Sequence, residues 1–477
     1  MVRPLHEPGT TVDGYRLEAL VHSGGMAILW SVTKPGIALP ILMKVPRIGE
    51  GADPAAIVSF EMEQMILPRL SGVHVPKFIS AGDFSVQPYI VMETIAGTSP
   101  LARLPELPLP YAEIAQIGVK VATALDDLHR QHVVHLDIKP SNIMFRPNGE
   151  AVLLDFGLSH HDRLPDLMQE EFRLPFGTAP YMSPEQLRGM RSDPRSDLFA
   201  LGVLLYFFST GIRPFGESET LRGMRRRLWR DPVPPRKLRP DYPPWLQEIV
   251  LRCLEIEPAW RYPTAAQLAF DLSHPDQVRL TKRSEKVERD PFRTVIRRRF
   301  KPDTLPQIRP SLNDQLFAAP IIAVAIDLTE GSVPLHEALR TTAGRILATL
   351  PAARLACLNV RKQSRITIDF TLDEKGHNKQ IDRLVALRHW AEPLKLEASR
   401  LTVHVLEALD PAAAILEFAN NNRVDHILLG ARENSLIRSL LGSVSAKVAA
   451  EANCTVTVVR PPRTGPITAE QSTDYSR

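Results

Sequence analysis

Asp137, Lys139 and Asn142 lie within six residues of one another, and Asp155 follows thirteen positions after the asparagine in Asp155-Phe156-Gly157. Two carboxylates, a carboxamide and an ammonium at this spacing suit the transfer of a phosphoryl group. That reaction needs a group that orients the accepting hydroxyl, oxygen ligands that hold a divalent metal on the phosphates, and a cation for the developing charge. Asp137 fits the first role, Asn142 and Asp155 the second, and Lys139 the third. The apolar run Ala151 to Leu154 reads as a strand that delivers Asp155 to a turn, and Gly157 is expected to give that turn its backbone freedom.

The rest of the chain must build a frame around these groups. With 477 residues, 44% hydrophobic and 23% charged, it has ordinary globular composition and room for about two to four domains. Lys and Arg total 58 against 54 Asp and Glu, a net +4, too small to make nucleic acid or a membrane surface the main partner. The three cysteines, Cys253, Cys357 and Cys454, are far apart and odd in number, which argues against a disulfide framework and a zinc site. No apolar run approaches the roughly 20 residues that span a bilayer. Phe199 to Phe208 reads instead as a buried core helix. The N-terminus lacks the charged-then-apolar order of a signal peptide, so a cytoplasmic location is expected.

Along the chain, residues 1–14 read as a tail and 15–274 as one two-lobed unit, strand-like segments first and helix-like later, dividing near Gly97. Residues 275–317 are basic and proline-containing, with Arg297-Arg298-Arg299 at the centre, and read as an extended linker. Within 318–461, short β-branched runs at Ile321 to Ile326, Arg354 to Val360, Leu401 to Leu406, His426 to Leu429 and Thr455 to Val459 alternate with helical stretches such as Leu335 to Leu350 and Ala412 to Asn420. Such alternation argues for a mostly parallel sheet with helices on its faces. Residues 462–477 are polar and expected to be disordered.

The run His135-Leu136-Asp137-Ile138-Lys139-Pro140-Ser141-Asn142, with Asp155-Phe156-Gly157, resembles the catalytic core of the protein kinase family. The resemblance implies an α+β two-lobed kinase fold that uses ATP with Mg²⁺ or Mn²⁺ on protein substrates bearing Ser or Thr. It implies that Asp137 orients the substrate hydroxyl, that Asn142 and Asp155 share the metal, and that Lys139 and Thr178 mark the Ser/Thr class. It also places Lys44 on the α and β phosphates with Glu63 as its partner. A lysine in the apolar strand Ile41 to Val45 needs such a match, because an unpaired buried charge is costly. His22, Ser23, Gly24, Gly25, Met26, Ala27 and Leu29 align with the loop over the phosphates, and Gly24 and Gly25 would bring backbone N–H groups close. Met92 would back the adenine pocket, with backbone groups of Glu93 and Ile95 on the purine. The match is partial, since His22 and Ala27 replace the usual outer glycines and Leu42 the usual alanine above adenine.

A further departure concerns regulation. Leu136 stands where many kinases carry the arginine that reads an activation-loop phosphate, and between Gly157 and Thr178 the only hydroxyl is Ser159. Asp162, Asp166, Glu170 and Glu171 occupy that stretch. A kinase that does not need loop phosphorylation is expected. The kinase resemblance also implies that Glu185 pairs with Arg261 and that Asp197 braces the catalytic loop, and the cluster Arg222, Arg225, Arg226, Arg227 and Arg230 is expected to be a solvated helix face.

The residues from about Ala318 to Arg460 resemble the universal stress protein family, through Ile322 to Asp327, Asp425 to Gly430, Leu441 to Ser445 and Cys454 to Arg460. The resemblance implies an α/β open parallel-sheet domain of adenine-nucleotide-hydrolase-like type, and a homodimer through the last strand. Nucleotide binding there is disfavoured: Glu433 occupies the second glycine position of the family's phosphate loop, and eight residues separate it from Gly442, one fewer than usual. The leading expectation is a Ser/Thr protein kinase, autophosphorylating, with a C-terminal regulatory or dimerisation domain, no nucleic-acid partner and no membrane span. Two rivals stand beside it: a weakly catalytic nucleotide-sensing scaffold, and a kinase whose C-terminal domain senses ATP.

Overall fold

Strand β4 (Ile41–Pro46) shows how the sequence positions one key side chain. Ile41, Met43 and Val45 are buried in the sheet core, and the two-residue period turns Leu42 and Lys44 to the opposite face. The computed structural model describes residues 7–47, 54–83, 87–172, 176–217, 220–300, 320–328, 333–362, 378–397, 400–431 and 443–461. They fall into two units, Met1–Asn313 and Asp314–Arg477.

In the first unit, β1 (Thr11–Val12), β2 (Tyr15–Ser23), β3 (Ala27–Thr33), β4, β5 (Phe78–Ala81) and β6 (Ile90–Glu93) form one antiparallel sheet in the order β1-β2-β3-β4-β6-β5. Its core is Tyr15, Leu17, Trp30, Val32, Met43 and Val91 with their neighbours. Helix α1 (Pro54–Ile66) follows β4 and carries Glu63. This is the smaller lobe.

The larger lobe is mainly helical: α2 (Tyr111–Arg130), α3 (Leu167–Glu171), α4 (Arg195–Thr210), α5 (Leu221–Met224), α6 (Pro235–Leu238), α7 (Pro244–Cys253) and α8 (Ala265–Ser273). The apolar run read as a core helix is α4, buried without interruption from Ser196 to Tyr206. Two small antiparallel pairs face the cleft. β7 (Val133–Val134) pairs with β10 (His160–His161), and β8 (Ile143–Phe145) with β9 (Ala151–Leu153). The His135–Asn142 loop runs from β7 to β8, and β9 leads directly to Asp155.

The stretch expected to be an extended linker departs from that expectation. Residues 281–300 contain α9 (Lys282–Glu285) and α10 (Phe292–Phe300) and dock on the larger lobe. Glu248 accepts from Thr281 N (3.0 Å), Ser284 N (3.1 Å) and Arg283 Nη1 (3.1 Å), while Gln247 Nε2 donates to the Arg283 and Lys286 carbonyls. Lys286 and Arg298 both reach Asp231 and Asp290, at 2.7–3.1 Å. Lys286 and Arg298 thus find, beside the nearby Asp290, the carboxylate of Asp231, which is distant in sequence and which no local pattern reveals.

The second unit is a five-stranded sheet of β11 (Ile321–Ala325), β12 (Arg354–Lys362), β13 (Leu401–Ala408), β14 (His426–Gly430) and β15 (Thr455–Val459), parallel throughout, in the order β13-β12-β11-β14-β15. Helices α11 (Val333–Thr349), α12 (Lys379–Ala391), α13 (Pro411–Asn422) and α14 (Ser443–Glu451) alternate with the strands. Ala356, Leu358, Ile415, Phe418, Ile427 and Val448 form part of one core between sheet and helices. Gly430 is required by packing, since a Cβ there would lie 2.6 Å from Leu335 Cδ2. Glu433 and the loop to Gly442 lie outside the described residues.

Candidate active site

The loop after β7 needs external support, because Leu136 has a left-handed backbone at φ 64°. Asp197, fully buried at the start of α4, supplies it. Its carboxylate accepts from His135 N (2.9 Å) and Leu136 N (2.8 Å), and the His129 ring meets it at 2.9 Å. Gln186 Nε2 donates to the Leu136 carbonyl at 2.8 Å, a contact that sequence reasoning missed.

Asp137 sits at the centre of a polar cluster and is 5% exposed. Its Oδ1 accepts from Thr178 N (3.0 Å) and Thr178 Oγ1 (2.7 Å). Its Oδ2 accepts from Asn142 Nδ2 (3.0 Å) and lies 2.7 Å from Lys139 Nζ. Lys139 Nζ also donates to Thr178 Oγ1 at 2.9 Å. Four donors therefore fix the orientation of one carboxylate. With the Asn142 amide nitrogen committed to Asp137, its carbonyl oxygen is the atom left to coordinate.

Lys44 Nζ reaches Glu63 Oε2 on α1 and Asp155 Oδ1 at 2.9 Å. Burial opposes the Lys44 charge, but the Asp155 and Glu63 carboxylates outweigh it and push its pKa up. Burial likewise pushes the Glu63 carboxyl up, and Lys44 opposes this. The Lys44 ammonium pulls Asp155 down to about 2, against its own desolvation, with Lys139 and His135 adding to the pull. Asp155 is thus an anion at neutral pH, poised at the mouth of the cleft. Its φ of 66° shows that Asp155, not Gly157, takes the left-handed conformation in this turn. Gly157 is required for a different reason: a Cβ there would lie 2.1 Å from Ser59 Oγ on α1.

Asp155 and Asn142 offer hard oxygen donors that fit Mg²⁺, which takes one or two protein oxygens and fills the remainder with phosphate and water. Among the described residues no group of three or more His, Cys, Asp or Glu could hold a metal by itself. Leu42 on β4 is directly opposite Met92 on β6, and Leu29 on β3 opposite Lys44. Glu93 N–H is taken by the Lys77 carbonyl at 2.9 Å, and its side chain is gripped by Arg146. Thr94 N–H goes to Pro40 O, one residue before Ile95. Gly24, Gly25 and Met26 form the hairpin turn between β2, which ends with His22 and Ser23, and β3, which begins at Ala27. Gly24 N–H bonds Ala27 O at 3.0 Å, Met26 O accepts from Arg47 N, and Ser23 Oγ from the Arg47 side chain.

The activation segment holds the residues whose arrangement the sequence did not reveal. Asp166 accepts from Arg191 Nε at 2.7 Å and contacts His160 Nδ1 at 3.1 Å, and it caps α3 through Gln169 N at 3.1 Å. Asp166-x-x-Gln169 is a capping pattern that could have signalled this helix start. Burial lowers the His160 pKa, but Asp162 and Asp166 overcome it and raise it to about 9. Ser159 is fully buried and donates to the His135 carbonyl at 3.1 Å. Glu185 and Arg261 form the expected pair, with Oε1–Nη1 at 2.6 Å and both side chains buried. Of the five arginines expected on a solvated face, Arg227 is only 2% exposed and donates to the Met182 carbonyl, and to that of Pro180 at 3.4 Å. Desolvation brings its pKa down to about 10.

A two-lobed fold around this cleft, followed by an open parallel sheet, defines a kinase domain with an α/β companion. Residues 44–271 match the protein kinase domain family and residues 320–460 the universal stress protein family, so the chain joins one domain of each kind. It is similar to serine/threonine-protein kinase pkn3 of Myxococcus xanthus, 34% identical over 282 residues that cover 56% of this chain and 50% of that one. It is also similar to the probable serine/threonine-protein kinase PknB of Corynebacterium glutamicum, 32% identical over 54% of this chain and 42% of that one. The chain thus spans about half the length of the curated relatives it matches. The crystal structure of the Mycobacterium tuberculosis PknI kinase domain aligns with 56% of this chain and 99% of that one, at 24% identity and a TM-score of 0.45. No helix among the described residues is long and apolar enough to cross a membrane.

Proposed function

We propose that the protein is an ATP-dependent Ser/Thr protein kinase that transfers the γ-phosphoryl group to Ser or Thr hydroxyls of proteins, its own included, without phosphorylation of its activation segment. The observation that carries this reading is the meeting of Asp137, Lys139, Asn142 and Thr178 with the Lys44–Glu63–Asp155 triad in one cleft. Bound ATP would supply the phosphoryl group, and Asp155 and Asn142 would hold Mg²⁺, which would supply neutralisation of the phosphate charge. Asp137 orients the acceptor hydroxyl and takes its proton. Thr178 and Lys139 hold that carboxylate, and Lys139 adds positive charge where the transferred group becomes more anionic. Lys44 positions the phosphates, and Glu63 fixes Lys44. The Leu42–Met92 wall and the Glu93 and Ile95 backbone frame the purine. The loop from His22 to Ala27 covers the phosphates.

The test is incubation with Mg²⁺ and γ-labelled ATP beside Asp137→Asn and Lys44→Met. Wild type should label itself or a generic protein substrate well above both variants; equal labelling would sink the reading. For the second unit the reading is a regulatory or dimerisation role. It is supported by β15 lying at the edge of its sheet, where backbone groups can pair with a second copy. Light scattering of wild type against a Val456→Pro variant tests it, and a monomeric wild type would count against it.

A further inference from the structure

Segment α5 and the turn after it, Arg225–Leu228, pack against the part of the activation segment next to the catalytic group. Met224 and Leu228 contact Met182, Leu187 and Ala179 in one apolar cluster. Ala179 directly follows Thr178, whose hydroxyl is 2.7 Å from Asp137 Oδ1. Arg227 fastens the same junction from beneath through the Met182 carbonyl. This shelf therefore adjoins the place where a polypeptide would bring a hydroxyl to Asp137.

Arg222, Arg225 and Arg226 on that segment are exposed, and no carboxylate among the described residues pairs with them. Three like charges on adjacent turns repel one another. Burial of Met224 and Arg227 nevertheless holds them there. Unrelieved positive charge beside the route to the catalytic aspartate matches an anionic strand.

Resting on the kinase reading above, we propose that Arg222, Arg225 and Arg226 select substrates with Asp or Glu flanking the acceptor hydroxyl, on the side that lies over the Met182 shelf. Each pair is exposed and so individually weak, but three together favour an acidic peptide over a neutral one by roughly tenfold at low ionic strength. The preference fades as salt screens it.

The experiment compares kcat/KM for a neutral Ser peptide and for derivatives with three Asp residues before or after the serine. It uses the full chain at low salt and at about 0.5 M salt. One Asp set should exceed the neutral peptide at low salt and lose its advantage at high salt. Arg222→Glu/Arg225→Glu/Arg226→Glu should reverse the preference toward the matching Lys peptide, and the corresponding triple Gln variant should bring the ratio near unity. Thermal unfolding of each variant confirms folding, and the salt series on wild type needs no variant at all. Wild-type turnover no higher than Asp137→Asn would defeat the kinase reading itself. Turnover with equal rates on acidic and neutral peptides defeats only this inference. The same holds if random duplex DNA alone shows charge-reversal-sensitive binding, which would make the patch a nucleic-acid face.

Discussion

Gly157 and Ser59 approach so closely that a single methyl group between them would collide. The absent Cβ would stand 2.1 Å from Ser59 Oγ and 2.9 Å from the Ser59 carbonyl. Ser59 precedes Glu63 by one turn of α1, so anything that displaces it also displaces the partner of Lys44. Gly157→Ala should therefore lower kcat by on the order of 10²-fold, because a misplacement of about 1 Å at a catalytic centre has that effect. Ser59→Ala should not rescue it, since the carbonyl remains. Single-turnover phosphoryl transfer with both variants checks this.

Asp166 and His160 predict an alkaline loss of order in the activation segment. The His160 pKa is raised from about 6.5 unfolded to about 9 folded, with Asp162, Asp166, His132 and His161 around it. A raised pKa stabilises the fold fully below about 6.5, and the contribution is lost as pH rises through about 9. It amounts to no more than about 3 kcal/mol. Thermal unfolding of wild type should fall across this window more steeply than that of His160→Gln; parallel curves would remove the assignment.

Asp166→Ala leaves Arg191, itself largely buried, without its carboxylate. The expected loss is about 3 kcal/mol of stability together with lower activity. Mass spectrometry of the active wild type should find no phosphate on Ser159, which is buried and bonded to His135.

Breaking the Glu185–Arg261 pair should be among the most destabilising single changes in the larger lobe. Arg261 also donates to the carbonyls of Arg195, Glu255 and Ile256, so Glu185→Ala strands a buried guanidinium at a cost of about 3–5 kcal/mol. Glu185→Met/Arg261→Leu should cost less than the two single changes summed. Denaturant unfolding of the four proteins measures the coupling.

The docked segment 281–300 is held by charges that salt weakens. Asp231→Asn/Asp290→Asn removes both carboxylates that receive Lys286 and Arg298, partly exposed pairs worth about 1 kcal/mol each. Trypsin should then cut between Lys286 and Arg299 faster than in wild type, and the difference should shrink at high salt. Equal cleavage would mean that Glu248 and Gln247 hold the segment alone.

The candidate catalytic groups were legible because local rules specify them. The β4 alternation turns Lys44 off the core, and Asp155 follows two residues after an apolar strand. The five strands of the second unit were legible from short β-branched runs, each within two residues of its observed end. The reason for Gly157 was not legible. A glycine in a turn is ordinarily a matter of φ, whereas this one answers to a helix nearly a hundred residues earlier in sequence.

Periodicity and turn chemistry, which act between near neighbours, were enough to specify two domains, the parallel sheet of the second and a set of polar residues at the spacing of phosphoryl-transfer chemistry. Tertiary structure alone decided that Asp166 binds Arg191, that Arg227 is buried while its neighbours are exposed, and that the basic run after the larger lobe docks on Asp231 and Glu248. Those outcomes depend on which opposite charge, carbonyl or apolar surface folding brings within about 3–4 Å of each side chain, a distance unrelated to separation along the chain.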